Sequence, residues 1–295
     1  MAEISGEQVR KFFDKIIPAR FRSDTTVVPV VRLTGVIGFS TPLRPGITIS
    51  GVARLLDRAF SYKRAKAVAL IINSPGGSPV QSHLVFRRIR QLSDEKKLPV
   101  LVFIEDVGAS GGYMLACAGD EIFCDVSSII GSIGVVGATF GFDKAIGKLG
   151  IERRVYTAGE RKVMLDPFLP ENPDDVARLK AIQEDIHEAF ISLVKSRRGG
   201  KLTGPESALF SGEYWAGEQA LRFGLVDGFG EVRSVLRERF GDKVLMPLVA
   251  DRGWFGRRVP GVGAGGLVRA LADDSLAEDL VSAVEARAIW GRYGL

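Results

Sequence analysis

Two apolar stretches separated by an amphipathic segment constrain the fold of this chain more than any other feature. The runs from Ala67 to Ile72 and from Leu98 to Ile104 are apolar at nearly every position. Strands of this kind are buried on both faces. Residues 80–92 between them follow the spacing of a helix. Doubly buried strands that alternate with helices predict the α/β class, with a mostly parallel sheet and flanking helices.

The same alternation extends over most of the chain. We divide it into an N-terminal segment (1–25), a central domain (26–248) and a linker with a C-terminal helix (249–295). Asn172 and Pro173 are typical of a helix start. In addition to the runs above, the patterns predict strands at 27–33, 121–123 and 152–157, and helices at 50–62, 110–118, 142–149, 173–197, 217–223 and 232–240.

Composition narrows the classes of function. The net charge is only +5, and no basic block interleaved with aromatic residues suggests a nucleic-acid groove. Cys117 and Cys124 form neither a disulfide framework nor a metal-binding pattern, so we interpret them as small core residues. No metal or organic cofactor is implied.

The N-terminal region carries an amphipathic segment. Residues 6–21 place apolar and basic side chains at helical spacing. Such a helix packs on its own domain or on another subunit, and peripheral membrane contact is the alternative. We find no signal peptide and no apolar run of membrane-spanning length. We therefore expect a cytoplasmic protein, with attachment to the inner face of the membrane left open.

A serine surrounded by small residues lies where a predicted strand meets a predicted helix. Residues 108–112 read Gly-Ala-Ser-Gly-Gly, with Ser110 at the centre. At such a corner a hydroxyl is accessible, and the first N–H groups of the helix point toward whatever it attacks. Ser110 is thus a candidate nucleophile.

A second glycine turn follows the neighbouring strand. Residues 73–77 read Asn-Ser-Pro-Gly-Gly at the carboxyl end of the strand before the one that leads to Ser110. Ligands of open α/β sheets bind at that edge. The N–H of Gly77 (or of Gly76) and the N–H of Gly111 are therefore candidate oxyanion-hole donors.

A serine nucleophile needs a side chain that accepts its proton. The chain contains only two histidines, His83 and His187. We interpret both as helix residues, although His83 follows the glycine turn and stays an alternative base. Lys162 is the main candidate. A free lysine has a pKa of about 10.4, so a neutral amine at pH 7 requires a reduction of about 3 units, or roughly 4 kcal/mol.

Four short motifs resemble the signature of the signal peptide peptidase A (SppA/SohB-like) family of Ser–Lys proteases. They are residues 73–77, residues 109–113 (Ala-Ser-Gly-Gly-Tyr), residues 131–135 (Gly-Ser-Ile-Gly-Val) and residues 224–227 (Gly-Leu-Val-Asp). They occur in the family's order and spacing, and the likeness covers residues 27–245. The resemblance implies a ClpP/crotonase-like fold.

The resemblance also implies roles for individual residues. Ser110 is the expected nucleophile, and Lys162 the expected general base and acid. Ser132 is expected to orient the lysine by a hydrogen bond, while Gly77 and Gly111 donate to the oxyanion. Members of the family form dome- or ring-shaped homo-oligomers, so we expect a homo-oligomer. Many members also carry a membrane anchor, which we do not find here.

Three functions therefore remain for comparison. The preferred one is a serine endopeptidase that cuts unfolded or apolar peptides, such as signal-peptide remnants or misfolded membrane and cytoplasmic polypeptides. A crotonase-type acyl-CoA hydratase or isomerase would share the fold but would not need a serine at the helix start. A non-catalytic, protease-like scaffold would have no chemical reason to retain Ser110, Lys162 and Ser132 together.

Overall fold

The core of the chain is a sheet in which nearly all neighbouring strands run parallel. The computed structural model describes residues 25–38, 46–159, 161–250, 284 and 287–294. Within these residues the sheet has seven strands: β1 (Val30–Thr34), β2 (Val68–Ser74), β3 (Val100–Ala109), β4 (Glu121–Cys124), β5 (Ile129–Gly131), β6 (Tyr214–Ala216) and β7 (Gly228–Phe229).

The strand order is β1–β2–β3–β4–β7, and β5 pairs with both β3 and β6. The β5–β6 pair is antiparallel, and the other pairs are parallel. The predicted α/β class with a mostly parallel sheet is confirmed. Between residues 46 and 250 the described helices are α1 (Ile49–Phe60), α2 (Pro79–Lys96), α3 (Gly111–Ala116), α4 (Asp143–Lys148), α5 (Pro173–Arg198), α6 (Glu206–Leu209), α7 (Gly217–Arg222) and α8 (Val232–Phe240). Residues 287–291 are helical as well.

Apolar clusters cover both faces of the sheet. On β2, Leu70 belongs to the cluster that contains residues of α1, α2 and α3. Its neighbour Ile71 points to the other face and joins the cluster of Leu236 on α8. Because successive side chains of a strand alternate between faces, this two-sided cover explains why β2 is apolar at nearly every position.

Strand β3 is long enough to pair with two different strands along one edge. Its first half, residues 101–104, pairs with β4, and residues 107–109 pair with β5. We call this division the β3 fork. Ala109 lies opposite Gly131 in the second pair. The fork therefore brings the residues that follow Ala109 and Gly131 to the same edge of the sheet.

Several local predictions are confirmed, and one is wrong. The long helix begins at Pro173, and the Asn172 side chain accepts a hydrogen bond from the Asp174 N–H at 2.9 Å. Residues 152–157, predicted as a strand, have no regular structure and are exposed. Their composition suits a strand, but in the described residues no other strand pairs with them. The segment 1–24 and most of 249–295 lie outside the described residues.

A buried ion pair joins α5 to the segment that precedes β7. The Arg198 side chain is 2% exposed, and its guanidinium lies 2.7 Å from the Asp227 carboxylate. It also donates two hydrogen bonds to the Gly224 carbonyl. Asp227 in turn accepts the Ile122 N–H at 2.7 Å. The Gly-Leu-Val-Asp motif of residues 224–227 thus ties α5 to β4.

We expect Asp227→Asn to lower the free energy of unfolding by about 3 kcal/mol, because it leaves a buried guanidinium without its counter-charge. Urea denaturation measures the change. Asp242→Asn, at an exposed position, is the matched control and should stay within about 0.5 kcal/mol of wild type. A similar small effect for both variants would contradict the role of the buried pair.

The same carboxylate makes stability depend on acid pH. Burial alone would raise the pKa of Asp227, but hydrogen bonds from Arg198 and Lys201 outweigh it and hold the pKa below the ordinary value of 3.8. The unfolded state therefore takes up the proton first as the pH falls. The contribution of Asp227 is complete above pH 3.8 and is lost through the lower pKa of the folded state. The stability difference between wild type and Asp227→Asn should shrink in that range.

Candidate active site

Ser110 occupies the corner between β3 and α3 in a strained backbone conformation. Its φ and ψ are +52° and −123°, and its side chain makes no hydrogen bond to the start of the helix. Its N–H donates to the Gly131 carbonyl at 2.8 Å, which anchors the corner to β5. The side chain is partly exposed. The hydroxyl is therefore available for chemistry rather than used for capping.

Helix α3 provides a rigid base for this corner. All its residues are buried, and the Tyr113 hydroxyl donates to the Leu225 carbonyl at 2.8 Å. Burial raises the pKa of Tyr113 well above its usual value, so its phenol stays protonated. The helix that carries the candidate nucleophile is thus fixed to the layer that contains the Arg198–Asp227 pair.

The glycine turn after β2 passes directly beside Ser110. A Cβ atom added at Gly76 would lie 2.8 Å from the Ser110 Cβ. Gly77 has φ +141°, and a Cβ added there would lie 2.1 Å from the carbonyl oxygen of Ile37. Only glycine fits such a close backbone approach. The sequence prediction that this turn adjoins Ser110 is therefore correct.

The hydrogen bonds of the turn distinguish the two candidate donors that the sequence left open. The Gly76 N–H already donates to the Ser74 hydroxyl at 3.2 Å. The described residues offer no acceptor to the N–H groups of Gly77 and Gly111. Gly111 is buried and Gly77 is half-buried. Two unused donors beside a serine are available to an acceptor from a ligand.

Ser132 lies at the same edge as Ser110 because of the β3 fork. It directly follows β5, has φ +53°, and donates its N–H to the Glu213 carbonyl at 2.6 Å. Behind it, the His187 Nε2 lies 3.0 Å from the Ile133 carbonyl oxygen. The two serines thus follow the ends of two paired strands, and both have a positive φ.

Lys162 is not joined to this group in the described chain. It is exposed, and its ammonium makes no hydrogen bond to Ser110 or Ser132 among the described residues. It belongs to residues 136–172, which we call the arm. The arm exposes large apolar side chains, including Val136, Phe140, Leu149, Ile151 and Tyr156.

His83, Cys117 and Cys124 are the other side chains that could serve as a base or a nucleophile. His83 is exposed on α2 beside Phe86 and makes no hydrogen bond to Ser110 in the described residues. Cys117 and Cys124 are buried free thiols, as the sequence predicted. Burial raises the pKa of each to about 12, so neither supplies a thiolate near pH 7.

Tyr293 also approaches the site, and no sequence pattern predicted this contact. The Tyr293 hydroxyl lies 3.2 Å from the Ser132 hydroxyl and 3.4 Å from the Pro75 carbonyl oxygen. Burial raises the pKa of Tyr293. No spacing rule connects residues this far apart, so only the folded chain reveals the contact.

No cluster of three or more histidine, cysteine or acidic side chains among the described residues is arranged to hold a metal ion. No helix among those residues is long and apolar enough to cross a membrane.

Comparison with known families identifies the relationship. The model of peptidase family S49 matches residues 92–243, just over half of the chain, and this range includes Ser110, Ser132 and Lys162. The chain belongs to peptidase family S49. This family consists of serine-type proteases with a ClpP-like fold, in agreement with the parallel sheet and its flanking helices. The resemblance seen in the four motifs is therefore confirmed.

Individual relatives differ in length and name. A protein of Brucella abortus named Na(+)/H(+) antiporter NhaA is 53% identical over 95% of this chain, which spans 39% of that relative's length. A putative protease of Methanocaldococcus jannaschii is 32% identical over 62% of this chain and 58% of its own length. The chloroplastic serine protease SPPA of Arabidopsis thaliana is 31% identical over 57% of this chain and 24% of its own length.

Proposed function

We propose that this S49 chain is a serine endopeptidase that hydrolyses unfolded or apolar peptides through a Ser110–Lys162 dyad. The observation that carries the proposal is the pair of unused amides beside the partly exposed Ser110. Gly111 N–H immediately follows the serine, and Gly77 lies on the turn that touches it. When Ser110 attacks the carbonyl carbon of a peptide, the carbonyl oxygen would accept hydrogen bonds from these two amides.

The proposed reaction has two halves. Neutral Lys162 takes the Ser110 proton as the Ser110 oxygen bonds to the peptide carbonyl carbon, and the oxyanion accepts hydrogen bonds from Gly77 and Gly111. The ammonium then protonates the leaving amine as the C–N bond breaks. In the second half, the neutral amine takes a proton from water as the water oxygen bonds to the acyl carbon, and the resulting ammonium returns this proton to the Ser110 oxygen as the ester C–O bond breaks. Ser132 orients the lysine in both halves.

The position of Lys162 supports a further part of the proposal, namely a homo-oligomer. The arm carries Lys162 together with exposed apolar side chains; Phe140 is 77% exposed and Tyr156 89% exposed. Such a surface is typical of a contact with another protein. A second copy that covers the arm would also remove Lys162 from water and thereby favour its neutral form. We therefore propose that assembly completes the dyad.

The substrate class and location remain part of this proposal. Motifs that resemble signal peptide peptidase A support apolar peptides, including signal-peptide remnants, as substrates. The predicted peripheral membrane contact through residues 6–21 concerns residues outside the described ranges, and it stays a prediction together with the cytoplasmic location. Membership of family S49 leaves the crotonase-type hydratase without support, so the non-catalytic scaffold is the remaining alternative.

The test is covalent labelling of the full chain with a fluorophosphonate, followed by peptide mass mapping. We expect the adduct on Ser110, with parallel loss of hydrolysis of fluorogenic peptides that have apolar residues before the cut. Fluorophosphonates require an activated serine, so the exposed Ser127 should stay unmodified and serves as the internal control. Absence of any adduct and of hydrolysis from pH 7 to 10 would favour the scaffold.

A further inference from the structure

Strand β3 contains extra residues, relative to β2, just before it reaches the candidate site. In the ladder between the two strands, Ile72 lies opposite Ile104, and farther along Ser74 lies opposite Gly108. Between these two pairs β2 has one residue, whereas β3 has three, residues 105–107. We call these three residues the β3 bulge. The register of the ladder therefore shifts by two residues before the strands end.

The β3 bulge decides which residue of β3 faces the glycine turn. Two residues beyond the second of these pairs, Gly76 is level with Ser110. A Cβ added at Gly76 would lie 2.8 Å from the Ser110 Cβ, in agreement with this register. Without the two extra residues, Gly108 would be level with Gly76, and Ser110 would lie two residues farther along, a displacement of about 7 Å. The bulge therefore places the candidate nucleophile beside the turn that carries a candidate oxyanion donor.

Neighbouring elements hold the first residue of the bulge on both sides. The β3 fork lies at this point, because pairing with β4 ends at Ile104 and pairing with β5 begins at Val107. Just before β5, the Ser128 hydroxyl donates to the Glu105 carbonyl at 2.5 Å. On the side of β1, the Arg32 guanidinium donates two hydrogen bonds to the Glu105 carboxylate, at 2.6 and 2.7 Å. The bulge is thus a fixed part of the sheet.

Asn73 holds the other two residues of the bulge. It is the residue of β2 between the two pairs, and its side-chain oxygen accepts the Val107 N–H at 3.2 Å. Its side-chain amide donates to the Asp106 carboxylate at 2.5 Å. A carboxamide offers an acceptor and two donors on one planar group, so a single side chain can bind a backbone N–H and a carboxylate together. Asn73 therefore bridges the bulge from the strand that leads into the glycine turn.

We propose that Asn73 is a positioning residue, which fixes the β3 bulge and thereby keeps Ser110 level with the N–H groups of Gly77 and Gly111. This inference rests on the proposed function of those three residues. Bulges beside active sites redirect side chains, and a displacement of reacting groups by about 1 Å can reduce the rate about 10²-fold. A variant that loosens the bulge should therefore slow the chemical step.

The first test is Asn73→Asp in the full chain, a substitution of nearly the same shape. It retains an acceptor for the Val107 N–H, but it places a second carboxylate against Asp106, so an attractive contact becomes repulsive. We expect kcat for fluorogenic peptides to fall about 10- to 100-fold, with KM within about three-fold of wild type. The effect is on kcat because hydrogen bonds to the oxyanion form fully only in the transition state.

The second test is rescue by Asp106→Asn in the same chain as Asn73→Asp. The exchanged pair again has a donor opposite an acceptor, and the acceptor for the Val107 N–H is retained. We expect kcat of the double variant to return to within about three-fold of wild type. A double variant as slow as Asn73→Asp would overturn the proposal, and so would wild-type kcat in Asn73→Asp alone.

Gln91→Glu is the matched control. Gln91 also donates from its side-chain amide to a carboxylate, that of Glu95 at 2.8 Å, but on the exposed surface of α2. The substitution creates the same kind of like-charge contact outside the β3 bulge, so kcat and KM should equal those of wild type. An equal loss of kcat in this control would overturn the specific role of Asn73.

Hydrogen exchange separates failure of this inference from failure of the proposed function. Asn73→Ala removes the acceptor of the Val107 N–H, so exchange of that amide should be faster than in wild type whether or not the chain is a protease. Faster exchange supports the role of Asn73 even if wild type neither hydrolyses peptides nor reacts with a fluorophosphonate, in which case the proposed chemistry alone has failed. Unchanged exchange at Val107 would overturn the inference itself.

Discussion

Ser110→Ala is expected to reduce kcat/KM for peptide hydrolysis by at least about 10⁴-fold, because removal of a nucleophile leaves only binding and oxyanion stabilisation. The fold should not change. The Ser110 side chain makes no cap hydrogen bond, and alanine adopts the same backbone conformation at the same cost as serine. Rates measured with fluorogenic peptides, alongside urea denaturation, separate the two effects.

The matched control for this variant is Ser127→Ala, which removes a hydroxyl from an exposed loop position. Its rate and its stability should both equal those of wild type. Hydrolysis by Ser110→Ala within about ten-fold of wild type would show that the nucleophile lies elsewhere. A large loss of stability in Ser110→Ala would instead assign the serine a structural role.

Lys162→Ala is expected to lower kcat/KM by about 10²–10⁴-fold, the range typical of general acid–base catalysis. Lys148→Ala, which removes another exposed lysine from the same arm, is the control and should retain wild-type activity. Retention of activity by Lys162→Ala would exclude it as the base and make His83 the next residue to replace. Both variants should unfold as wild type does, because neither lysine is buried.

Mixing the two inactive variants tests whether the lysine acts on its own chain or on a neighbour. If Lys162 reaches Ser110 of another copy, equal amounts of Ser110→Ala and Lys162→Ala, co-assembled, should recover about a quarter of wild-type activity. Each site then needs one intact residue from each of two copies, and each is present half of the time. No recovery would mean that the arm has to close onto Ser110 within one chain.

Sequence patterns were sufficient to predict the buried strands of the core and the proximity of Ser110 to the glycine turn. Runs that are apolar on both faces, such as residues 67–72, leave no stable arrangement except a strand covered on both sides. Ser110 and Gly77 follow neighbouring parallel strands, so their proximity is a consequence of strand order. Both inferences depend on local sequence pattern and on the rule that the carboxyl ends of parallel strands lie at one edge of the sheet. The structure agrees with both.

The positions of Ser132 and Tyr293, and the absence of a strand at residues 152–157, depend on tertiary contacts that no local sequence pattern encodes. The β3 fork joins Ser132 to Ser110 through a strand of only three residues, which is too short for periodicity to reveal. Residues 152–157 have strand composition but no strand beside them, and pairing decides the outcome for such segments. Tyr293 meets Ser132 through a tertiary contact alone.

The backbone conformation of Ser110 lowers the stability of the folded state, and glycine at this position would not have this effect. At φ +52° and ψ −123° a residue with a Cβ is strained by about 1–3 kcal/mol, whereas glycine adopts this conformation freely. Even after the roughly 0.5–1 kcal/mol that glycine loses through its more flexible unfolded chain, Ser110→Gly would be neutral or stabilising. At this position stability therefore favours glycine, whereas the proposed chemistry requires serine. A chain with no use for the hydroxyl would be more robust without it.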